Sequence, residues 1–288
     1  MQRDYVTRAI RLALEEDIGT GDVTSAVTVP AGARASGHFL AKSPGVVSGL
    51  DVAAATFREV DPRVAFIALV RDGDRVVPGD LIARVAGEAR SLLAAERVAL
   101  NFLQRLSGVA TATARYAEAV TGTGARVIDT RKTTPGMRLM EKAAVRHGGG
   151  HNHRFGLSDG ILIKDNHLAA IGGPDRVARA VAAARAGAPH TLRVEVEVTS
   201  LDELEQALAA GADVVLLDNM AVDQMAEAVR RTRGRAILEA SGGITLETIR
   251  RIAETGVDLI SVGALTHSAP SLDISLELTL ETGDATGE

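Results

Sequence analysis

The segment GGGHNHRFGLSDGILIKDNH, residues 148–167, sets three histidines, Arg154 and Lys164 around one short apolar run, ILI, in a chain with only four lysines and seven histidines. Between Arg126 and His167, five arginines and three lysines face three aspartates and one glutamate, a net of +4, whereas the whole chain carries −5. So local a reversal predicts an anion site on an otherwise acidic protein. Just upstream, TRKTTPGMR places Arg131 and Lys132 side by side. Arginine's flat fork suits a carboxylate or phosphate through two bonds, and lysine acts as a compact point charge. His153 and Arg154 follow on a glycine-rich approach. The HxH spacing of His151 and His153 could supply two metal ligands, but the surrounding arginines and lysines would repel a cation.

Carboxylates come next. Glu195 and Glu197 in LRVEVEV are two apart and so share one face of a strand. Buried among apolar layers they need partners, and Lys164 at the end of ILI is the natural one for either. Asp218 closes the apolar run of ADVVLLDN. Further on, SGG at 241–243 precedes a helical stretch and SVGAL at 261–265 follows another apolar run. Glycine lets backbone N–H groups approach a ligand and a helix start adds a favourable dipole, which makes Ser241, Gly242, Gly243 and Gly263 candidates for holding phosphate. Together the cations Arg131, Lys132, His153, Arg154 and Lys164 and the carboxylates Glu195, Glu197 and Asp218 suit a strongly anionic substrate that includes a phosphate ester. The carboxylates would hold Mg²⁺ or stabilise a developing sugar cation.

These groups need a scaffold that gathers them. From residue 125 the short apolar runs ARVID, GILIKD, LRVEVEV, ADVVLLDN, RAILEAS and VDLISVG alternate with helical stretches. Such alternation is the mark of parallel βα units, and six of them in so short a span predict a compact α/β barrel, smaller than the eight-stranded form. Because the carboxyl ends of barrel strands share one face, the candidate residues, each at or just past such an end, converge there. Before the barrel, residues 3–16 read as an amphipathic helix and three β-rich runs follow, broken by glycine and proline. GDRVVPGDLIARVAG resembles a biotinyl or lipoyl hairpin but has no lysine at its turn, so it reads as structural. Residues 91–120 read as one or two long helical segments, on the first of which Arg97, Asn101 and Arg105 recur four apart as a polar, solvated stripe. At the other end, SAPSLDISLELTLE alternates like an antiparallel strand returning to the first domain. The expected division is a domain over 1–112, the barrel over 113–268 and a returning segment over 269–288.

Composition narrows the class. With 288 residues, 46% hydrophobic and 24% charged, the chain can bury a substantial core. The absence of cysteine excludes disulfides, thiolate metal sites and a cysteine nucleophile. No run approaches the ~20 apolar residues of a membrane span, and the N-terminus lacks a signal peptide's apolar region, so a cytoplasmic location is expected. The acidic balance argues against broad nucleic-acid binding.

DTRKTTPGMR, GGGHNHR…GLSDGILIKDNH, VEVEV, VLLDN, EASGGIT and VGALTHS, with EEDIGTGDVTS and NFLQRLSGVAT earlier, closely resemble the quinolinate phosphoribosyltransferases across nearly the whole chain. The resemblance implies an α/β class protein: an N-terminal α/β sandwich joined to an open α/β barrel of about six or seven parallel strands. It implies transfer of phosphoribosyl from phosphoribosyl pyrophosphate to quinolinate, with Mg²⁺ and decarboxylation. Its partners would be those two substrates and a second copy of the chain, a homodimer with shared sites, dimer or hexamer being left open. Arg131, His153, Arg154 and Lys164 would bind the two carboxylates of quinolinate, and Arg105 would reach into the partner's site. Lys132 would face pyrophosphate, Glu197 and Asp218 the ribose hydroxyls and metal, and Ser241, Gly242, Gly243 and Gly263 the 5′-phosphate. Lys164, Glu197 and Asp218 form the implied catalytic group, whereas Glu195 and His151 have no clear role. A lysine-dependent barrel aldolase or decarboxylase acting on a phosphorylated substrate is the alternative, since it too places a lysine at a strand end.

Overall fold

A computed structural model describes residues 2–280, with side chains from Asp4 onward. Met1 of the expected first domain and residues 281–288 of the expected returning segment lie outside the described residues. Two compact units are present, one of residues up to Ala112, Thr134–Gly149 and those from Ala269, the other of Thr113–Thr133 and Gly150–Ser268.

In the first unit, strands β1 (Arg34–Ala41), β3 (Ala65–Ala68), β5 (Leu81–Glu88) and β12 (Ile274–Leu280) form an antiparallel sheet in the order β12-β1-β5-β3, beside a two-stranded ladder of β2 (Gly45–Val46) and β4 (Arg75–Val76). The last strand pairs with β1 from Ala35↔Leu280 to Ala41↔Ile274. Burial along β1 alternates, as expected of a sheet with one face on a core. That core gathers Phe39 and Phe57, with Ile82, Leu92 and Leu103, all fully buried. Phe39 meets Phe57 edge-on with ring centroids 6.0 Å apart.

The second unit is the barrel. Strands β6 (Arg126–Ile128), β7 (Ile161–Ile163), β8 (Val194–Val198), β9 (Val214–Asp218), β10 (Ile237–Ser241) and β11 (Leu259–Ser261) are parallel throughout, in the order β6-β11-β10-β9-β8-β7. The order returns nearly to its start without closing, so the barrel is open between β6 and β7. At that seam the backbone of His151 bridges to β6, donating to Val127 O at 2.9 Å and accepting from Asp129 N at 3.1 Å. His151 thus has a backbone role in extending the sheet, and its side chain is exposed. Val196, Val198, Val215, Leu217, Ala240 and Ile260 are buried outward-facing strand residues, and both faces of β8 are buried along its length.

Register decides what faces inward. Ile163↔Val196 places Lys164, the next residue, beside Glu197, which pairs with Leu216, which pairs in turn with Glu239. Lys164, Glu197, Leu216 and Glu239 therefore fall on one level across β7 to β10, and all four line the same cavity. One level above, Asp218 and Ser241 are themselves paired.

Candidate active site

That cavity, about 750 Å³, occupies the carboxyl-terminal mouth of the barrel. Of the residues singled out from the sequence, Arg131, Lys132, His153, Arg154, Lys164, Glu197, Asp218, Ser241, Gly242, Gly243 and Gly263 all line it. Arg105 belongs to the first unit. There its Nε and Nη2 donate to Glu141 Oε1 at 3.1 and 2.8 Å, and its Nη1 donates to Ala269 O at 2.9 Å. Glu141 is completely buried and also accepts from the Thr134 backbone N–H and hydroxyl. The solvated stripe expected from periodicity is therefore corrected at Arg105, whose fork is held by a carboxylate 36 positions along the chain.

The wall of the cavity is divided by charge. Lys164 Nζ lies 3.0 Å from Glu197 Oε2, so the lysine at the end of ILI meets the upper of the two strand glutamates. Asp218 accepts from the side-chain amide of Asn219 at 2.8 Å. Arg131 and Lys132 are exposed on the loop after β6, where Lys132 N donates to Thr130 Oγ1 at 3.0 Å. Arg154 is half-buried. One guanidinium nitrogen donates to Gly160 O at 2.9 Å, and its buried Nε has no hydrogen-bond partner. Burial, and then the neighbouring Arg131 charge, hold the Arg154 guanidinium below its ordinary pKa, with Glu195 and Asp159 compensating in part. An anionic ligand would offset both the burial and the repulsion.

Opposite, Gly242 and Gly243 have φ of 98° and 59°, a left-handed run that glycine adopts without strain. A side chain at Gly242 would collide with Asn219. The sequence reading placed a helix start directly after this loop, but the helix is short, Ile249–Ala253, and begins several residues later. At Gly242 and Gly243 the glycine backbone itself lines the cavity. Gly263 packs against Lys132 and His267, where an added Cβ would lie 3.0 Å from Lys132 Cδ and 3.2 Å from the His267 ring. Thr245 and His267 also line the cavity and were not singled out from the sequence. Neither stands at a strand end, so the pattern that found the others passed over them.

Beneath the mouth, His153, Glu195 and Glu239 form a buried cluster whose ligand atoms lie within 4.8 Å of one another, a donor set able to coordinate a metal ion. His153 Nε2 is 3.2 Å from Glu195 Oε2 and 3.7 Å from Glu239 Oε2. Burial, and then the adjacent Glu195 charge, push the Glu239 carboxyl well above the usual carboxylate range, although a hydrogen bond from Ser261 opposes them. The loop carrying His153 is fixed by Asp129, also fully buried, which accepts from His153 N at 2.8 Å and from the Asn152 amide at 2.7 Å.

The profile for the C-terminal domain of quinolinate phosphoribosyl transferase matches residues 109–277 and that for its N-terminal domain matches residues 22–107. A probable carboxylating nicotinate-nucleotide pyrophosphorylase of Bacillus subtilis (strain 168) is 46% identical over 265 residues, 92% of this chain and 90% of that protein. The carboxylating nicotinate-nucleotide pyrophosphorylase of Mycobacterium leprae (strain TN) is 47% identical over 281 residues, 96% of this chain and 98% of that protein. The crystal structure of NadC from Streptococcus pyogenes superposes with a TM-score of 0.91 at 46% identity, covering 96% of both chains. With both halves of the chain matched and the relatives aligned almost end to end, the protein belongs to the quinolinate phosphoribosyltransferase family.

Proposed function

We propose that the protein transfers the phosphoribosyl group of phosphoribosyl pyrophosphate to quinolinate, with decarboxylation, giving nicotinate mononucleotide, pyrophosphate and CO₂ for NAD synthesis. The observation that carries this reading is the meeting of Arg131, Lys132, Arg154 and Lys164, from three separate segments, around one cavity whose other wall is carboxylate and glycine backbone. Quinolinate brings two carboxylates to the cationic corner. Phosphoribosyl pyrophosphate brings phosphate to the loops at Ser241, Gly242, Gly243 and Gly263, and ribose hydroxyls to Glu197 and Asp218.

In the first step the pyridine nitrogen attacks C1 of the ribose while the bond from C1 to the pyrophosphate oxygen breaks. Lys132 faces the charge left on pyrophosphate, and Glu197 and Asp218 face the cation-like sugar. The nitrogen of the ribosylated ring is now positive. As CO₂ departs, the electron pair of its bond stays on C2, where the adjacent positive nitrogen stabilises it, and C2 then takes a proton from water. No covalent nucleophile is needed, and orientation by Arg131, Arg154 and Lys164 supplies much of the rate. Lys164 is already ion-paired with Glu197, the arrangement of a fixed charge rather than of the amine nucleophile that an aldolase requires.

Glu197 and Asp218 are oxygen donors on adjacent strands, which fits Mg²⁺, an ion that takes one or two carboxylates and completes its shell with water and substrate phosphates. Held there, Mg²⁺ would neutralise charge on the pyrophosphate. The same reading includes a homodimer, as dimer or hexamer, in which Arg105 serves the partner's site while anchored by Glu141. Transferase activity of mixed dimers carrying Arg105→Ala in one subunit and Asp218→Ala in the other, with dimerisation verified by sedimentation, tests that part: recovered activity supports it, and none from verified heterodimers contradicts it. The reaction itself is tested by initial rates with phosphoribosyl pyrophosphate and Mg²⁺ against quinolinate or nicotinate. Turnover with quinolinate alone supports the proposal, and equal turnover with nicotinate overturns it.

A further inference from the structure

The cluster below the mouth has a feature that its donor set alone does not reveal. His153 Nδ1 accepts a hydrogen bond from the backbone N–H of Arg154 at 2.6 Å. A backbone amide can only donate, so Nδ1 presents its lone pair and the ring proton sits on Nε2. Nε2 lies 3.2 Å from Glu195 Oε2 and 3.7 Å from Glu239 Oε2, which makes the ring a hydrogen-bond donor to Glu195 with Glu239 close by, and leaves it no lone pair there for a metal ion. Both ring nitrogens are thus turned to the protein.

We infer that Glu195 and Glu239 are positioning residues for the acceptor substrate: they orient the His153 ring, and through its contact with the Arg154 backbone they set Arg154 against the quinolinate carboxylate. On this inference His153 acts as the strut between the barrel floor and the anion-binding corner. The geometry supports each link. Glu195 is on β8 and Glu239 on β10, both nearly fully buried, so the rigid sheet fixes where the ring can sit. Asp129 holds the backbone of the same loop at His153 N, and Arg154 is the next residue. The other carboxylate oxygens, Glu195 Oε1 and Glu239 Oε1, are buried without a hydrogen-bond partner. Glu239, Glu195, His153 and Arg154 also border together a second cavity of about 270 Å³.

The inference rests on the proposed function for its kinetic readout but not for its structural one. In ¹⁵N-histidine-labelled full-length protein, His153, assigned with a His153→Gln variant, is expected as the Nε2–H form. Glu195→Leu, which replaces the acceptor by an apolar group of similar size, is expected to change that ¹⁵N pattern. It should raise KM for quinolinate at least tenfold while KM for phosphoribosyl pyrophosphate stays within threefold. Glu195→Gln, which keeps an acceptor oxygen, is expected to restore most of the quinolinate affinity. An Nδ1–H tautomer in the unsubstituted protein, equal KM changes for both substrates, or a stoichiometric metal ion in the purified protein that is lost in Glu195→Leu would overturn it. Should no transferase activity exist at all, the proposed function fails, and calorimetric titration of quinolinate with the same variants, together with the tautomer, decides the inference on its own. A Glu195→Leu chain that does not fold leaves the tautomer measurement and the Glu195→Gln titration to decide it.

Discussion

Lys164 and Glu197 stand level on neighbouring parallel strands, and their side chains meet at 3.0 Å in the mouth of the barrel. In the proposed reaction the pair would join the two halves of the site, with Lys164 towards the carboxylates of the acceptor and Glu197 towards the sugar. Glu197→Gln keeps the shape and removes the charge. It is expected to lower kcat by roughly 10²–10³, the scale of losing one preorganised electrostatic group, with a smaller change in KM for quinolinate. Steady-state kinetics with both substrates varied checks this.

Arg154 offers the second prediction. Its guanidinium is half-buried and depressed in pKa by burial and then by Arg131, a state that a bound anion would relieve. Arg154→Ala should cost about 2–3 kcal/mol in kcat/KM for quinolinate, roughly a hundredfold. Dissociation of phosphoribosyl pyrophosphate, measured by calorimetry, should change far less.

Gly242 carries a φ of 98°, and any side chain there meets Asn219. Gly242→Ala is expected to raise KM for phosphoribosyl pyrophosphate by about tenfold, equivalent to roughly 1.4 kcal/mol, with quinolinate binding within twofold of the unsubstituted protein. Equilibrium titrations of each substrate separately read the difference.

These site residues were legible in the sequence for one physical reason. A parallel barrel brings the ends of its strands together, so polar residues that interrupt apolar runs at Lys164, Asp218 and Ser241 had to converge. The strand period of two was enough to turn Glu195 and Glu197 the same way, but not to say that only Glu197 reaches Lys164 while Glu195 drops to His153. That choice depends on register between strands 30 residues apart, which no local pattern carries. The same limit explains Arg105. Its spacing from Arg97 and Asn101 describes a helix surface, whereas its partner Glu141 lies on a different helix and is invisible to helical periodicity. The open seam beside His151 also depends on tertiary closure, since one backbone bridge distinguishes it from an ordinary loop.

The Arg105–Glu141 pair yields a stability prediction. Glu141 is fully buried, so removing its charge leaves the arginine without its main counter-ion. Glu141→Gln should destabilise the protein by about 3 kcal/mol, the lower end of the cost of breaking a buried pair. Chemical denaturation followed by circular dichroism measures it.

Asp61 gives the acid limb of stability. Hydrogen bonds from the Arg63 side chain, and then from the Arg63 backbone, hold its carboxyl at about 2. A depressed carboxyl adds stability that is fully present above the unfolded pKa of about 4 and is lost as pH falls towards 2. Asp61→Asn should therefore flatten the fall of melting temperature between about pH 4 and pH 2, as scanning calorimetry at several pH values would record.

In the proposed reaction one cavity performs both ribosyl transfer and carbon dioxide loss on the same acceptor. Quinolinate labelled with ¹³C at its 2-carboxylate, supplied with phosphoribosyl pyrophosphate and Mg²⁺, allows both products to be followed in one progress curve. The expected result is labelled CO₂ and pyrophosphate appearing one for one. Pyrophosphate without labelled CO₂, or labelled CO₂ in the absence of phosphoribosyl pyrophosphate, would contradict it.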